Sequence, residues 1–144
     1  MDPTSSIQFH FEDIAMPKDM EQDRYAKWVE RIIDNEGFEL AAINYIFCSD
    51  DYLLNINRQY LDHDYYTDII TFDNADEGGA LEADIFISVE RVADNAQKLG
   101  IDFSKELQRV MAHGILHLCG YKDKSEEDIK VMRLKEEASM ALYQ

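Results

Sequence analysis

The stretch SKELQRVMAHGILHLCGYKD, residues 104–123, carries the two patterns on which the chain is read. Leu107, Val110, Met111, Ile115 and Leu118 recur at intervals of three and four, the spacing of a helix face packed on a core. Ser104 suits the N-cap of that helix and Gly120 its end. His113 and His117 lie beside the apolar face, four residues apart, where Cβ atoms stand about 5–6 Å from each other. Two imidazoles so placed converge on one metal ion at bonds of about 2.0–2.1 Å. Gly120 lets the chain reverse, so that Asp123 can return a carboxylate towards the same point. Three protein ligands leave a tetrahedral ion one position for water, which zinc turns into a hydroxide source near neutral pH. Histidine pairs at helical spacing also occur as solvent-facing groups or as hydrogen-bonded core residues. Here Leu116, Leu118 and the carboxylate-bearing turn favour the metal.

Outward from this helix, Ser125 with Asp128 resembles a capping box that opens a last helix through Ile129, Met132, Leu134, Ala138 and Leu142. Upstream, Asp68 to Phe72 and Asp84 to Val89 are rich in β-branched and aromatic residues. With Gly78 and Gly79 between them, they read as a hairpin. A helix from about Glu90 to Leu99, closed by Gly100, follows. Ile7, Phe9 and Phe11 alternate as in a first strand, and Pro17 then opens a helical stretch to about Asn35. Its apolar face is Tyr25, Trp28, Val29, Ile32 and Ile33, with Gly37 as cap. Leu40 to Cys48 reads as a second strand with Ile43, Tyr45 and Phe47 on one side. Ser49, Asp50 and Asp51 suit the positive end of a short helix to about Tyr60. The predicted fold is α+β: one domain over residues 1–144, a mixed sheet of about four strands packed with helices, and a metal site at the end of a central helix.

At 144 residues and 46% hydrophobic composition the chain has material for one core of ordinary domain size. No apolar run approaches the roughly 20 residues that span a bilayer. The opening MDPTSSIQFHFED lacks the basic start and apolar stretch of a signal peptide. A soluble, cytoplasmic protein without a membrane partner is expected. Cys48 and Cys119 fall in a strand and at a helix end and belong to no CxxC pair, so they read as reduced thiols. Thirty acidic residues against fourteen basic ones give a net charge of -16, which on average repels nucleic acid. A divalent ion in one cleft supplies local positive charge against that background.

HGILHLCGY, residues 113–121, followed by the turn to Asp123, is similar to the HGxLHLxGYDH signature of YbeY-type rRNA maturation endoribonucleases. Asn57 to Tyr60 and Thr67 to Phe72 resemble the family's NxxYR and TDVLSF segments, and Asp84 to Ser88 its GDIxIS strand. Order and spacing agree over roughly residues 40–140. The resemblance implies a single-domain, metal-dependent endoribonuclease specific for single strands, with one zinc ion held by His113, His117 and Asp123. It further implies 16S rRNA 3′-end processing and ribosome quality control, with ribosomal RNA and the small ribosomal subunit as partners and no DNA.

Two positions depart from the signature. The third family histidine falls on Asp123, between Lys122 and Lys124. An anionic ligand lowers the charge of the ion and its ligands by one, so bound water is less acidic than at a three-histidine site. Two histidines and a carboxylate also match a non-haem iron triad. The arginine expected after the family's tyrosine is Leu61 here, and Arg58, about one helical turn earlier, is the candidate catalytic guanidinium. The alternative for Arg58 is an exposed helix residue paired with an acid. Asp68 and Asp84 are strand-end polar residues assigned near the cleft, and Tyr65 and Tyr66 are candidates for stacking or for packing. His10 and His63 are left outside the ligand set.

Gly114 stands where HExxH peptidases place a general-base glutamate, which disfavours a peptidase of that kind. The rival to an enzyme is a ribosome assembly or binding factor whose metal is structural. A structural zinc site usually has four protein ligands, however, and three are in view.

Overall fold

In the computed structural model, which describes residues 6–17, 20–62, 66–76 and 79–143, the alternating stretches form a four-stranded mixed sheet. The strands β1 (Ile7–Phe11), β2 (Leu40–Cys48), β3 (Ile69–Asp73) and β4 (Leu81–Ser88) stand in the order β1-β2-β4-β3. β2 runs parallel to β1 and β4, and β3 pairs antiparallel with β4, as the hairpin reading expected. Gly78 lies outside the described residues; the Gly79 amide donates to the Asp76 carbonyl at 2.8 Å.

The helices are α1 (Gln22–Asn35), α2 (Asp50–Tyr60), α3 (Val89–Leu99), α4 (Phe103–Leu118) and α5 (Glu126–Met140). Successive strand residues point to opposite faces. Ile43, Tyr45, Phe47, Ile85 and Ile87 join the apolar residues of α1 and α4, with Val92 of α3 and Met132 of α5, in the larger core. Ile70, Phe72 and Phe86 pack instead with Leu53 and Ile56 of α2. Four helices therefore cover one face of the sheet and α2 covers the other. The predicted apolar face of α1 is buried throughout, and the Trp28 indole donates to the Ser139 carbonyl at 2.7 Å, tying α1 to the end of α5.

β4 starts at Leu81, three residues before the expected Asp84, because Leu81 and Glu82 already pair with β2. Other boundaries and faces also differ from expectation. α1 begins at Gln22, because the Met20 amide closes a turn on the Pro17 carbonyl at 3.3 Å and Glu21 is the extended N-cap. Asp102, not Ser104, is the N-cap of α4, which places Ser104 inside the first turn. The apolar stripe read along α5 is its packed face only in part, at Met132 and, just beyond the helix, at Leu142. Ile129 and Leu134 are exposed, whereas Met132, Glu136 and Ser139 are buried. The capping box between Ser125 and Asp128 is formed. Cys48 and Cys119 are both free thiols. Among the described residues no helix is long and apolar enough to cross a membrane.

α4 seats closely on the sheet at Gly114. A Cβ there would meet Ile69 Cδ1 at 3.0 Å and Ile85 Cδ1 and Cγ2 at 3.3 and 3.4 Å. Alanine at this position gains about 1 kcal/mol of helix propensity over glycine, but overpacking a core costs about 1–3 kcal/mol. Gly114→Ala is therefore expected to be neutral to about 2 kcal/mol destabilised, and Gly114→Val clearly less stable than Gly114→Ala, by denaturant unfolding. A valine variant as stable as the alanine variant shows that the sheet does not press on this site.

Candidate active site

Arg109, His113 and His117 are spaced four apart and form a polar stripe along the flank of α4. Ile69 and Thr71 of β3, together with Thr67 and Asp68 just before the strand, line the same space, because alternate β3 residues face α4 while Ile70 and Phe72 face α2. Gly120, at φ 106°, reverses the chain after α4 and brings Asp123 back. The resulting pocket of about 340 Å³ is lined by all three residues read as metal ligands, His113, His117 and Asp123, together with Asp68 and Arg109.

Within it, His113 Nε2 stands 3.3 Å from Asp123 Oδ2. Two ligand atoms on a tetrahedral ion, each at about 2.0–2.1 Å, lie roughly 3.3 Å apart, so this pair is spaced as one tetrahedral edge. The donor types fit zinc. Among the described residues, however, no three His, Cys, Asp or Glu side chains are already gathered into a metal cluster.

A buried ionic chain backs the pocket. Arg109 Nε and Nη2 donate to the two carboxylate oxygens of Glu106 at 2.9 and 2.6 Å, and Nη1 reaches Glu136 Oε1 at 3.4 Å. Glu136 Oε2 lies 2.8 Å from His113 Nδ1. Glu106 and Glu136 are both buried, an arrangement that persists only when the charges are paired and hydrogen-bonded. The hydrogen bond to Glu106 raises the Arg109 pKa despite burial, so the guanidinium is charged. Burial pulls the His113 pKa down, but the hydrogen bond to Glu136 and the charges of Glu136, Asp123 and Asp68 outweigh it and leave it raised. Burial pushes the Asp68 carboxyl up, and the attraction of Arg109 and His113 offsets this only in part.

Arg58 is not brought to this pocket. It is exposed on α2, across the sheet from α4, and the guanidinium lining the pocket belongs to Arg109. Arg109 had a signal in the sequence, since it sits one turn before His113 on the same stripe; Glu136, on another helix, had none. Asp84 also lies on the α2 face, accepting from the amides of Asn44 and Asn74 at 3.1 and 3.3 Å, and His10 Nε2 is 3.1 Å from Asn44 Oδ1. The Tyr66 ring packs under the Arg91 guanidinium at 5.2 Å, while His63 and Tyr65 lie outside the described residues.

The family profile described as Endoribonuclease YbeY matches residues 8–144. The chain belongs to the YbeY endoribonuclease family. It is 56% identical over 115 residues to the Endoribonuclease YbeY of Cytophaga hutchinsonii, covering 80% of each chain. It is 48% identical over 137 residues to that of Flavobacterium johnsoniae, covering 95% of this chain and 96% of the relative. The solution structure of TM1509 from Thermotoga maritima matches with a TM-score of 0.63 at 26% identity, over 92% of this chain and 89% of that one. Of the YbeY-like segments read from the sequence, those on α4 and at the start of β3 meet at the pocket, whereas Arg58 and Asp84 from the other two lie on the opposite face of the sheet.

The raised pKa of Asp68 makes a signed statement about stability. Its protonated form is favoured more in the fold than in the unfolded chain, so its contribution is fully present below the unfolded pKa of about 3.9 and is lost as pH rises through the folded value. Asp68→Asn is expected to unfold at higher temperature than wild type at neutral pH and to lose that advantage as pH falls into the ordinary carboxylate range. A difference independent of pH shows that the buried charge is not its cause.

Proposed function

We propose that the pocket between α4 and β3 is the active site of a zinc-dependent endoribonuclease that cuts single-stranded ribosomal RNA in the cytoplasm. Within this reading it acts in maturation of the 16S rRNA 3′ end and in ribosome quality control, on the small ribosomal subunit or its precursor. The observation that carries the proposal is the 3.3 Å spacing of His113 Nε2 and Asp123 Oδ2, one tetrahedral edge, in a pocket that His117 also lines. His113, His117 and Asp123 would hold the ion.

Electrostatics support a bound cation. Glu106 and Glu136 pair with a single guanidinium in a pocket that Asp68 and Asp123 also line, and among the described lining residues Arg109 is the one Lys or Arg. Arg109 is committed to Glu106 and Glu136, so its charge is largely compensated before any phosphate arrives. An RNA phosphate entering this pocket needs positive charge that the side chains do not supply. When bound, zinc supplies Lewis acidity and an acidified water. Asp68, facing the pocket with a raised pKa, is suited to exchange a proton with the reacting oxygen. Arg109 orients Glu136 rather than gripping substrate. Arg58 has no part in this reading.

One observation favours a second reading, an assembly factor with a structural metal: the pocket's guanidinium is already paired on two sides. The two readings differ in cleavage. Purified protein is expected to carry about one zinc per chain, to cut single-stranded rRNA fragments in preference to duplexes, and to stop when chelated. Asp123→Ala and His113→Ala are expected to lose the metal and at least about 100-fold in cleavage rate, a typical cost of disabling a metal site. Metal without cleavage supports the assembly factor, and protein that binds no divalent metal overturns the site.

A further inference from the structure

Glu136 lies on α5, thirteen residues beyond Asp123 in a helix that joins the site only through tertiary packing. Its carboxylate is almost completely buried, and its shortest contact is to His113 Nδ1 at 2.8 Å rather than to Arg109 at 3.4 Å. We propose that Glu136 is a positioning residue: it holds the proton of His113 on Nδ1 and thereby presents an unprotonated Nε2 to the pocket.

A neutral imidazole has one ring proton, and His113 has a carboxylate at each nitrogen: Glu136 at Nδ1 and Asp123 at Nε2, at 3.3 Å. Ionised carboxylates only accept, so one of the two contacts must be left without the proton. Distance and environment decide which. The Glu136 side chain is 3% exposed and that of Asp123 48% exposed, so the shorter bond is also the one less weakened by solvent. The proton then belongs to Nδ1. Nε2 is left with a lone pair opposite an Asp123 oxygen, two acceptors facing each other at the spacing of ligands on one cation.

Glu136 is itself held in place. Arg109 contacts it through Nη1, and Glu106, fully buried on α4, fixes Arg109 through Nε and Nη2. Neutralising Arg109 does not require Glu136, because Glu106 already forms the two-pronged pair. The chain from Glu106 through Arg109 and Glu136 to His113 therefore ends on the imidazole and aims it. A carboxylate behind a ligating histidine raises its basicity and fixes its ring.

The consequence for metal affinity rests on the ligand reading given above, whereas the tautomer does not. In metal-free protein, at a pH that leaves the ring neutral, nitrogen-15 NMR of His113 is expected to show the proton on Nδ1. The resonance is assigned by its loss in His113→Gln. Glu136→Leu is expected to move the proton to Nε2 and to weaken zinc binding about 10- to 100-fold in competition with a chromophoric chelator. Glu136→Gln, which keeps an oxygen acceptor, is expected to recover most of both. A role in packing alone moves the unfolding temperature but not the tautomer. Wild type protonated on Nε2, or Glu136→Leu with the wild-type tautomer, overturns the inference. If Glu136→Leu does not fold, wild type and Glu136→Gln decide it. If wild type binds no zinc, the ligand reading fails and the metal-free tautomer still judges Glu136.

Discussion

Helix α4 comes so close to the sheet at Gly114 that a methyl group in its place would press on Ile69 and Ile85. Glycine in a helix interior costs roughly 1 kcal/mol against alanine, a cost offset here by contact between backbone and sheet. With the apolar face of α4 seated on β4, the stripe of Arg109, His113 and His117 turns to its flank, facing the edge strand β3. The histidines reach a pocket because of this seat. The residue between His113 and Ile115 in the signature is thus explained by packing as well as by its lack of a general-base side chain.

The same flank buries charge. Glu106, Arg109 and Glu136 form a cluster that hydrophobic residues of equal volume could replace with little loss of stability, since removing ions from water costs several kcal/mol each. Such clusters define geometry more than they add stability. Here the cluster runs from the first turn of α4 to α5 and ends on a histidine, so the orientation of α5 and that of the imidazole are coupled. It also leaves the pocket rich in negative charge, which raises the affinity of His113 for its proton and is suited to balance a divalent ion.

The sheet divides the molecule. α4 and β3 build the pocket on one face, while α2, with Tyr52, Phe72 and Phe86, forms a separate apolar layer on the other. Residues close in the linear motif, such as Asn57 to Tyr60 and Thr67 to Phe72, are therefore not all close to the pocket. The overall charge of -16 is carried by a chain that belongs to an endoribonuclease family, so any attraction for RNA has to be local.

Much of this was determined by the sequence itself, because its causes are local. Alternation in β1 and β2, the periodic faces of α1 and α4, the Ser49 and Ser125 caps, and the four-residue spacing of His113 and His117 each depend on neighbours within a turn or two. The mixed four-stranded sheet follows from the number and order of those elements. Other features were decided only by tertiary structure. The sheet places Arg58 and Asp84 on the face away from the pocket, because which side α2 covers depends on packing between strands distant in sequence. α5 packs through Met132, Glu136 and Ser139 and leaves Ile129 and Leu134 exposed, because a carboxylate is buried where a guanidinium and an imidazole await it. In the sequence alone Glu136 is one more acid in a charged helix; its burial depends on partners on another helix, at positions 109 and 113, that only the folded chain brings within reach.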